Sequence, residues 1–507
     1  MNWKMMSTRN LLSFSLVFAL LACDRSAAAQ AMRSPTNMSA VAQTQTGPWT
    51  KIPIPPLHSF KPAAPHRIEL SNGLVIFLQE DHELPFVDGI ILIRGGSRDE
   101  PAAKAGLVSM YGEAWRTSGS ATTSGDLLDT ELAGKAANIG TGGGLEETYL
   151  SWGSFKQDFD GVFAEAVDLL LHPAFKAEKL ALATREMDTG ISRRNDDASE
   201  IASREAEKIV YGSDSPYARE AQYATVDAVT IDDLKTWHDR TVAPNNMIVG
   251  VEGDFDSVAM EAKLRKVFEP LSRGTAIEPL HINFSGPKPG VYFVDKEDVN
   301  QSNVEIVGLG TEQKNPDFYA LSVMNDIFSG GFDSRVVQNV RTKLGLAYAV
   351  GGSYGASYDH PGVFLSDAGT KSVSTVAATQ AILEEIGRLK TDPPTIEEMR
   401  KAKDQVMNSF IFHYDTPEKT LEEQVNLSFF GYPADFLEKY KDGVERVTAA
   451  DVTRVANKYI DVSKLAILVV GNKTEILPPL STLGKVTDLD ISIPPPPGAK
   501  PAAAAKP

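Results

Sequence analysis

With 507 residues the chain is longer than one hydrophobic core usually organises, so two or more domains are expected. Its 42% hydrophobic and 23% charged content is that of an ordinary globular body, which excludes a wholly disordered chain and a polytopic membrane protein. A formal net charge of −17, with no run of Lys or Arg, excludes a nucleic-acid partner, because phosphate binding needs at least a basic stripe.

At the N-terminus Lys4 and Arg9 precede an apolar stretch, residues 11–22, that is too short to span a bilayer, so residues 1–23 read as a secretory signal. Leu20-Leu21-Ala22-Cys23 resembles a bacterial lipoprotein box, which would lipidate Cys23 and give the protein its one membrane contact. Cleavage after Ala27-Ala28-Ala29 is the alternative and discards Cys23. Either route exports the protein to a periplasmic space, and since Cys23 is the only cysteine, the mature body has no disulfide. Residues 24–64, rich in Ser, Thr, Gln and Pro, read as a flexible tether.

A first domain is expected over 65–275. The β-branched runs at 73–78 and 87–93 predict strands, and amphipathic patterns predict helices over 105–117, 123–137, 158–171 and 177–194. Gly142-Gly143-Gly144 has no Lys-Ser/Thr successor and so is not a phosphate loop; it reads as a loop or a weakened edge strand. Residues 276–290, with Pro279, Gly286, Pro287 and Pro289, read as a linker to a second domain over 291–480. There, strands are predicted at 291–294 and 303–308, and helices over 316–328, 334–343, 374–389 and 396–408. From 494 to 507 the Pro/Ala-rich tail cannot bury enough surface to fold.

The two domains are related by an internal repeat. Val229-Thr230-Ile231-Asp232-Asp233-Leu234 is echoed by Val447-Thr448-Ala449-Ala450-Asp451-Val452, each opening a helix with Thr at the N-cap. Each leads to an apolar strand ending in glycine, and Asp233 to Gly253 and Asp451 to Gly471 are both 20 residues. Strands grouped with longer helices give an α+β class: two homologous domains, each a β-sheet with helices layered on one face.

The segment Gly106-Leu107-Val108-Ser109-Met110-Tyr111-Gly112-Glu113-Ala114-Trp115 resembles the zinc helix of the insulinase/pitrilysin metallopeptidases, and the resemblance extends over about residues 66–475. In active members this helix carries H-x-x-E-H, two zinc-binding His and a general-base Glu, with a further Glu ligand on a distant helix. The resemblance places the first His on Ser109, the base on Gly112, the second His on Glu113 and the distant Glu on Gly190. None is retained. Glycine offers neither base nor ligand, Ser109 is a poor ligand beside imidazole, and no two of the eight His lie within five residues of each other. This chain is therefore expected to bind no zinc.

Val340-Arg341-Thr342-Lys343-Leu344-Gly345-Leu346-Ala347-Tyr348, after Ser329-Gly330-Gly331-Phe332-Asp333-Ser334-Arg335, is similar to the family's C-terminal segment. Spacing alone leaves two readings open: a surface Arg with a core Tyr, or an Arg/Tyr pair that holds a substrate backbone. The resemblance implies the second, with Arg341 and Tyr348 contributed to the site of a catalytic partner subunit that bears H-x-x-E-H and the zinc. The expected function is that of a non-catalytic subunit enclosing peptide substrates within a heteromeric peptidase. The alternative is a proteolytically inert scaffold or peptide-binding protein of the same fold.

Overall fold

The computed structural model describes residues 61–498, so the signal segment, Cys23, residues 24–60 of the tether and residues 499–507 of the tail lie outside the described residues. In the first half the elements run β1 (His66–Glu69), β2 (Val75–Glu80), β3 (Phe86–Arg94), α1 (Leu107–Ser118), α2 (Gly125–Gly134), β4 (Asn138–Gly143), β5 (Glu147–Phe155), α3 (Phe159–Leu171), α4 (Ala177–Arg193), α5 (Ala198–Tyr211), α6 (Tyr223–Asp227), α7 (Ile231–Thr241), β6 (Met247–Gly253) and α8 (Ser257–Phe268). The second half runs β7 (Gly290–Asp295), β8 (Gln301–Leu309), β9 (Thr311–Glu312), α9 (Phe318–Ser329), a π-helix (Val337–Lys343), β10 (Ala347–Tyr354), β11 (Ala356–Ser357), β12 (Val363–Lys371), α10 (Thr375–Thr391), α11 (Ile396–Ile411), α12 (Pro417–Phe429), α13 (Phe436–Arg446), α14 (Ala449–Tyr459), β13 (Ala466–Gly471) and β14 (Val486–Asp488).

Two six-stranded sheets carry the repeat, in the orders β1-β2-β6-β3-β5-β4 and β10-β12-β8-β13-β7-β14. Read from the other end, the first becomes β4-β5-β3-β6-β2-β1, so β4 and β10 are equivalent edges and β6 and β13 equivalent inner strands. The echo at Thr230 and Thr448 has a physical origin in two matched capping boxes. Asp233 N donates to Thr230 Oγ1 at 3.3 Å while Thr230 N donates to Asp233 Oδ2 at 2.9 Å; the Thr448–Asp451 distances are 3.2 and 3.0 Å.

Helices of each half cover one face of its sheet, and the structure adds a cover on the opposite face. β13 is buried at every residue and β6 at nearly every one, the continuous apolar pattern of strands packed on both sides. The second cover comes from the other half. On α5, Ile201, Ala202, Ala206 and Val210 pack against Val294, Val307, Ala466, Leu468 and Val470 of the second sheet. In return α12 lies on β6 and β2, with Leu421 and Val425 over Gly250. Burial of Ile201 and Val210 alone contributes about 3–6 kcal/mol as an upper estimate, and the two halves form one compact unit from Pro62 onward.

Candidate functional site

The N-terminus of α1 is fixed by a buried carboxylate. Glu100 accepts from Gly106 N at 2.8 Å and Val108 N at 2.9 Å, satisfying two N–H groups that a helix start leaves orphaned. Leu107, Val108, Met110, Tyr111, Ala114 and Trp115 face the core, which leaves Ser109 and Glu113, one turn apart, on the exposed side. α4 packs across α1, and its Gly190 is exposed with no atom within 4 Å of where a Cβ would be. Burial, then the charge of Glu186 on α4, raise the pKa of Glu113. The donors gathered here are carboxylates and a hydroxyl, with no imidazole. His238 belongs to the core side of α1: its Nδ1 lies 2.9 Å from Tyr111 Oη among Trp115 and Phe175, and burial pushes its pKa down to about 4.

Gly112, at the base position, faces edge strand β4. A Cβ at Gly112 would stand 2.7 Å from Gly142 Cα and 3.1 Å from Gly143 N, and Thr141 Oγ1 donates to Gly112 O at 2.5 Å. One at Gly143 would meet Val108 Cγ1 at 2.3 Å. The glycines thus let strand and helix backbones touch, and they fill the space where a glutamate would have to project. Gly142 and Gly143 form the end of edge strand β4, and Gly144 the turn after it. A catalytic zinc therefore does not fit this site: its donor set is wrong and the base position has no room.

Arg341 and Tyr348 are brought together. Val337 and Val340 anchor the π-helix in the second core, which leaves Arg341 half-buried at the surface. Gly345, at φ +62°, turns the chain into β10. The β10–β12 register slips between Ala347 and Ala349, so Tyr348 is the extra residue of a bulge on an edge strand. Tyr348 is 83% exposed, which excludes the core-tyrosine reading. Arg341 Cζ lies 5.7 Å from the Tyr348 ring centroid and 5.1 Å from that of Phe332. Among the described residues no carboxylate forms an ion pair with Arg341, so its N–H groups remain available to a planar acceptor.

A second cluster, not singled out in the sequence, joins the halves. Buried Arg98 donates from Nη1 to Asp359 Oδ1 at 3.0 Å and from Nη2 to Oδ2 at 2.8 Å; His360 Nδ1 is 3.0 Å from Asp359, and Tyr217 Oη accepts from Arg98 at 3.3 Å. Burial alone would raise the Asp359 pKa, but the hydrogen bonds of His360 and Arg98 outweigh it and hold it well below the usual carboxylate range. Burial pushes Glu146 up to about 7. Glu146, Asp359 and His360 stand close enough to share a cation, but the Arg98 guanidinium already fills that role. The cluster is a latch. His360 and Asp359 in the sequence gave no hint of it, since Arg98 is 261 residues away.

A family model described as the peptidase M16 inactive domain matches residues 228–406. An uncharacterized zinc protease of Rickettsia felis is 25% identical over 400 residues, covering 77% of this chain and 93% of the relative. A Helicobacter pylori protein named non-peptidase homolog YmxG is 20% identical over 406 residues, covering 78% of this chain and 92% of the relative. Among solved structures, one described as a peptidase M16 inactive domain from Pseudomonas fluorescens shares the fold with a TM-score of 0.74 at 22% identity, covering 81% of this chain and 98% of that one.

Proposed function

Because the chain belongs to the insulinase/pitrilysin (M16) peptidase family and lacks the family's zinc motif, we propose that it is the non-catalytic, substrate-enclosing subunit of a heteromeric zinc peptidase. A partner bearing H-x-x-E-H supplies zinc and general base; this chain supplies half of the enclosure and the Arg341/Tyr348 pair. The observation that carries the reading is the pair itself. A guanidinium that pairs with no carboxylate among the described residues stands beside an exposed phenol on a bulged edge strand, while the motif helix of the same chain is packed shut at Gly112. Arg341 holds a peptide carbonyl and Tyr348 donates a hydrogen bond to its oxygen as negative charge develops there. The N-terminal segment supports a location outside the cytoplasm, lipid-anchored if Cys23 is modified.

The test is to mix the purified chain with an H-x-x-E-H homologue from the same host. The proposal expects a stable complex by size exclusion and peptidase activity that neither chain shows alone. A homologue fully active alone and indifferent to this chain would leave the scaffold reading in its place.

A further inference from the structure

We infer that Phe332 is a positioning residue for Arg341, holding the guanidinium by cation–π stacking in the orientation in which it meets a peptide carbonyl. The inference rests on the shared-site reading above and deepens it.

An exposed arginine has several rotatable bonds, and ion pairing with a carboxylate usually restricts them. Arg341 has no such partner among the described residues, and two aromatic rings lie near it: Phe332 at 5.1 Å and Tyr348 at 5.7 Å from Cζ. Phe332 is 72% exposed and stacks on no other ring among the described residues, so hydrophobic packing does not account for a phenylalanine there. Its backbone, by contrast, is tightly held. Gln338 Nε2 donates to Phe332 O at 2.6 Å, and Ser334 donates to Gly331 O from N at 3.0 Å and from Oγ at 2.6 Å. On the neighbouring α11, Lys401 pairs with Asp333 at 2.8 Å, and Glu398 receives Arg335 through two hydrogen bonds of 2.7 and 3.1 Å. The turn is therefore rigid, and the ring it presents is free to act on Arg341. A guanidinium stacked on a ring face keeps its in-plane N–H groups free for a planar acceptor.

The experiment uses the full chain in complex with its H-x-x-E-H partner, with assembly followed by size exclusion and cleavage of a quenched fluorescent peptide as the readout. Phe332→Leu keeps apolar bulk but removes the π face. We expect it to lower kcat/KM by roughly 3- to 10-fold, as Phe332→Ala does, whereas Phe332→Trp retains the wild-type rate. In an Arg341→Ala background, Phe332→Leu should cause no further loss, since its role runs through Arg341. Wild-type kinetics for Phe332→Leu, or losses that multiply in the double variant, overturn the inference while leaving the shared site standing. If Arg341→Ala complexes assemble and cleave at the wild-type rate, the shared-site reading fails, and this inference with it.

Discussion

Gly112 on α1 and Gly142 on β4 are in backbone contact, so close that a Cβ on Gly112 would stand 2.7 Å from Gly142 Cα. Two effects then compete when Gly112 becomes alanine. Helix propensity favours Ala by about 1 kcal/mol, but forcing a methyl against immobile backbone costs about 1–3 kcal/mol. The second wins, and Gly112→Ala should lower stability. Gly190, in α4 with nothing near its Cβ direction, has only the first effect, so Gly190→Ala should stabilise by about 0.5–1 kcal/mol. Denaturant unfolding of both variants checks the opposite signs; two shifts in the same direction would contradict the packing described at Gly112.

The Arg98–Asp359 latch should be worth far more than the surface pairs. Asp359→Asn leaves a buried guanidinium short of its counter-charge, which costs about 3–5 kcal/mol. Asp442→Asn, which breaks an exposed pair with Arg446, should cost at most about 1 kcal/mol. Thermal unfolding ranks the two, and limited proteolysis near residues 276–290 should accelerate only for Asp359→Asn.

Glu252 gives a pH dependence of definite sign. On β6 it is the register partner of Asp88 on β3, and Glu418 of α12 and Asp81 also act on it; burial first, then these charges, push its pKa up to about 7, and Asp88 is raised to about 6. The folded state therefore holds these protons more tightly than the unfolded chain. Stability contributed by the protonated forms is full below the unfolded values near 4 and falls as pH rises to about 7. Glu252→Gln should raise stability at pH 8 by roughly 1–2 kcal/mol after discounting for solvent at this half-buried site. The gain should vanish at pH 4. An equal gain at both pH values, or none, would contradict this assignment.

What was legible in the sequence followed the range of the interactions. Thr230 and Thr448 announced their helices because a capping box closes within four residues, and α1 was visible from the spacing of Leu107, Val108, Met110, Tyr111, Ala114 and Trp115. The absence of a zinc motif is likewise local. The bulge that turns Tyr348 outward was not legible, because it depends on register against β12. Nor was the latch, where Arg98 and Asp359 meet only after both halves fold. The reciprocal placement of α5 and α12 left a trace in the unbroken apolar run of β13 and the nearly continuous one of β6, which only Glu252 interrupts, a pattern that signals cover on both faces without saying which helix supplies it.

The measurement that bears most directly on the account is the turnover of the assembled complex carrying Tyr348→Phe. This substitution keeps the ring that flanks Arg341 and removes only the hydroxyl, so folding, the cation–π contact and subunit association should survive. Loss of one donor to a developing oxyanion typically lowers kcat by roughly 10²–10³-fold, and that fall, with complex formation unchanged by size exclusion, is the expected result. A Tyr348→Phe complex that assembles normally and cleaves peptide at the wild-type rate would contradict the claim that this chain completes its partner's active site.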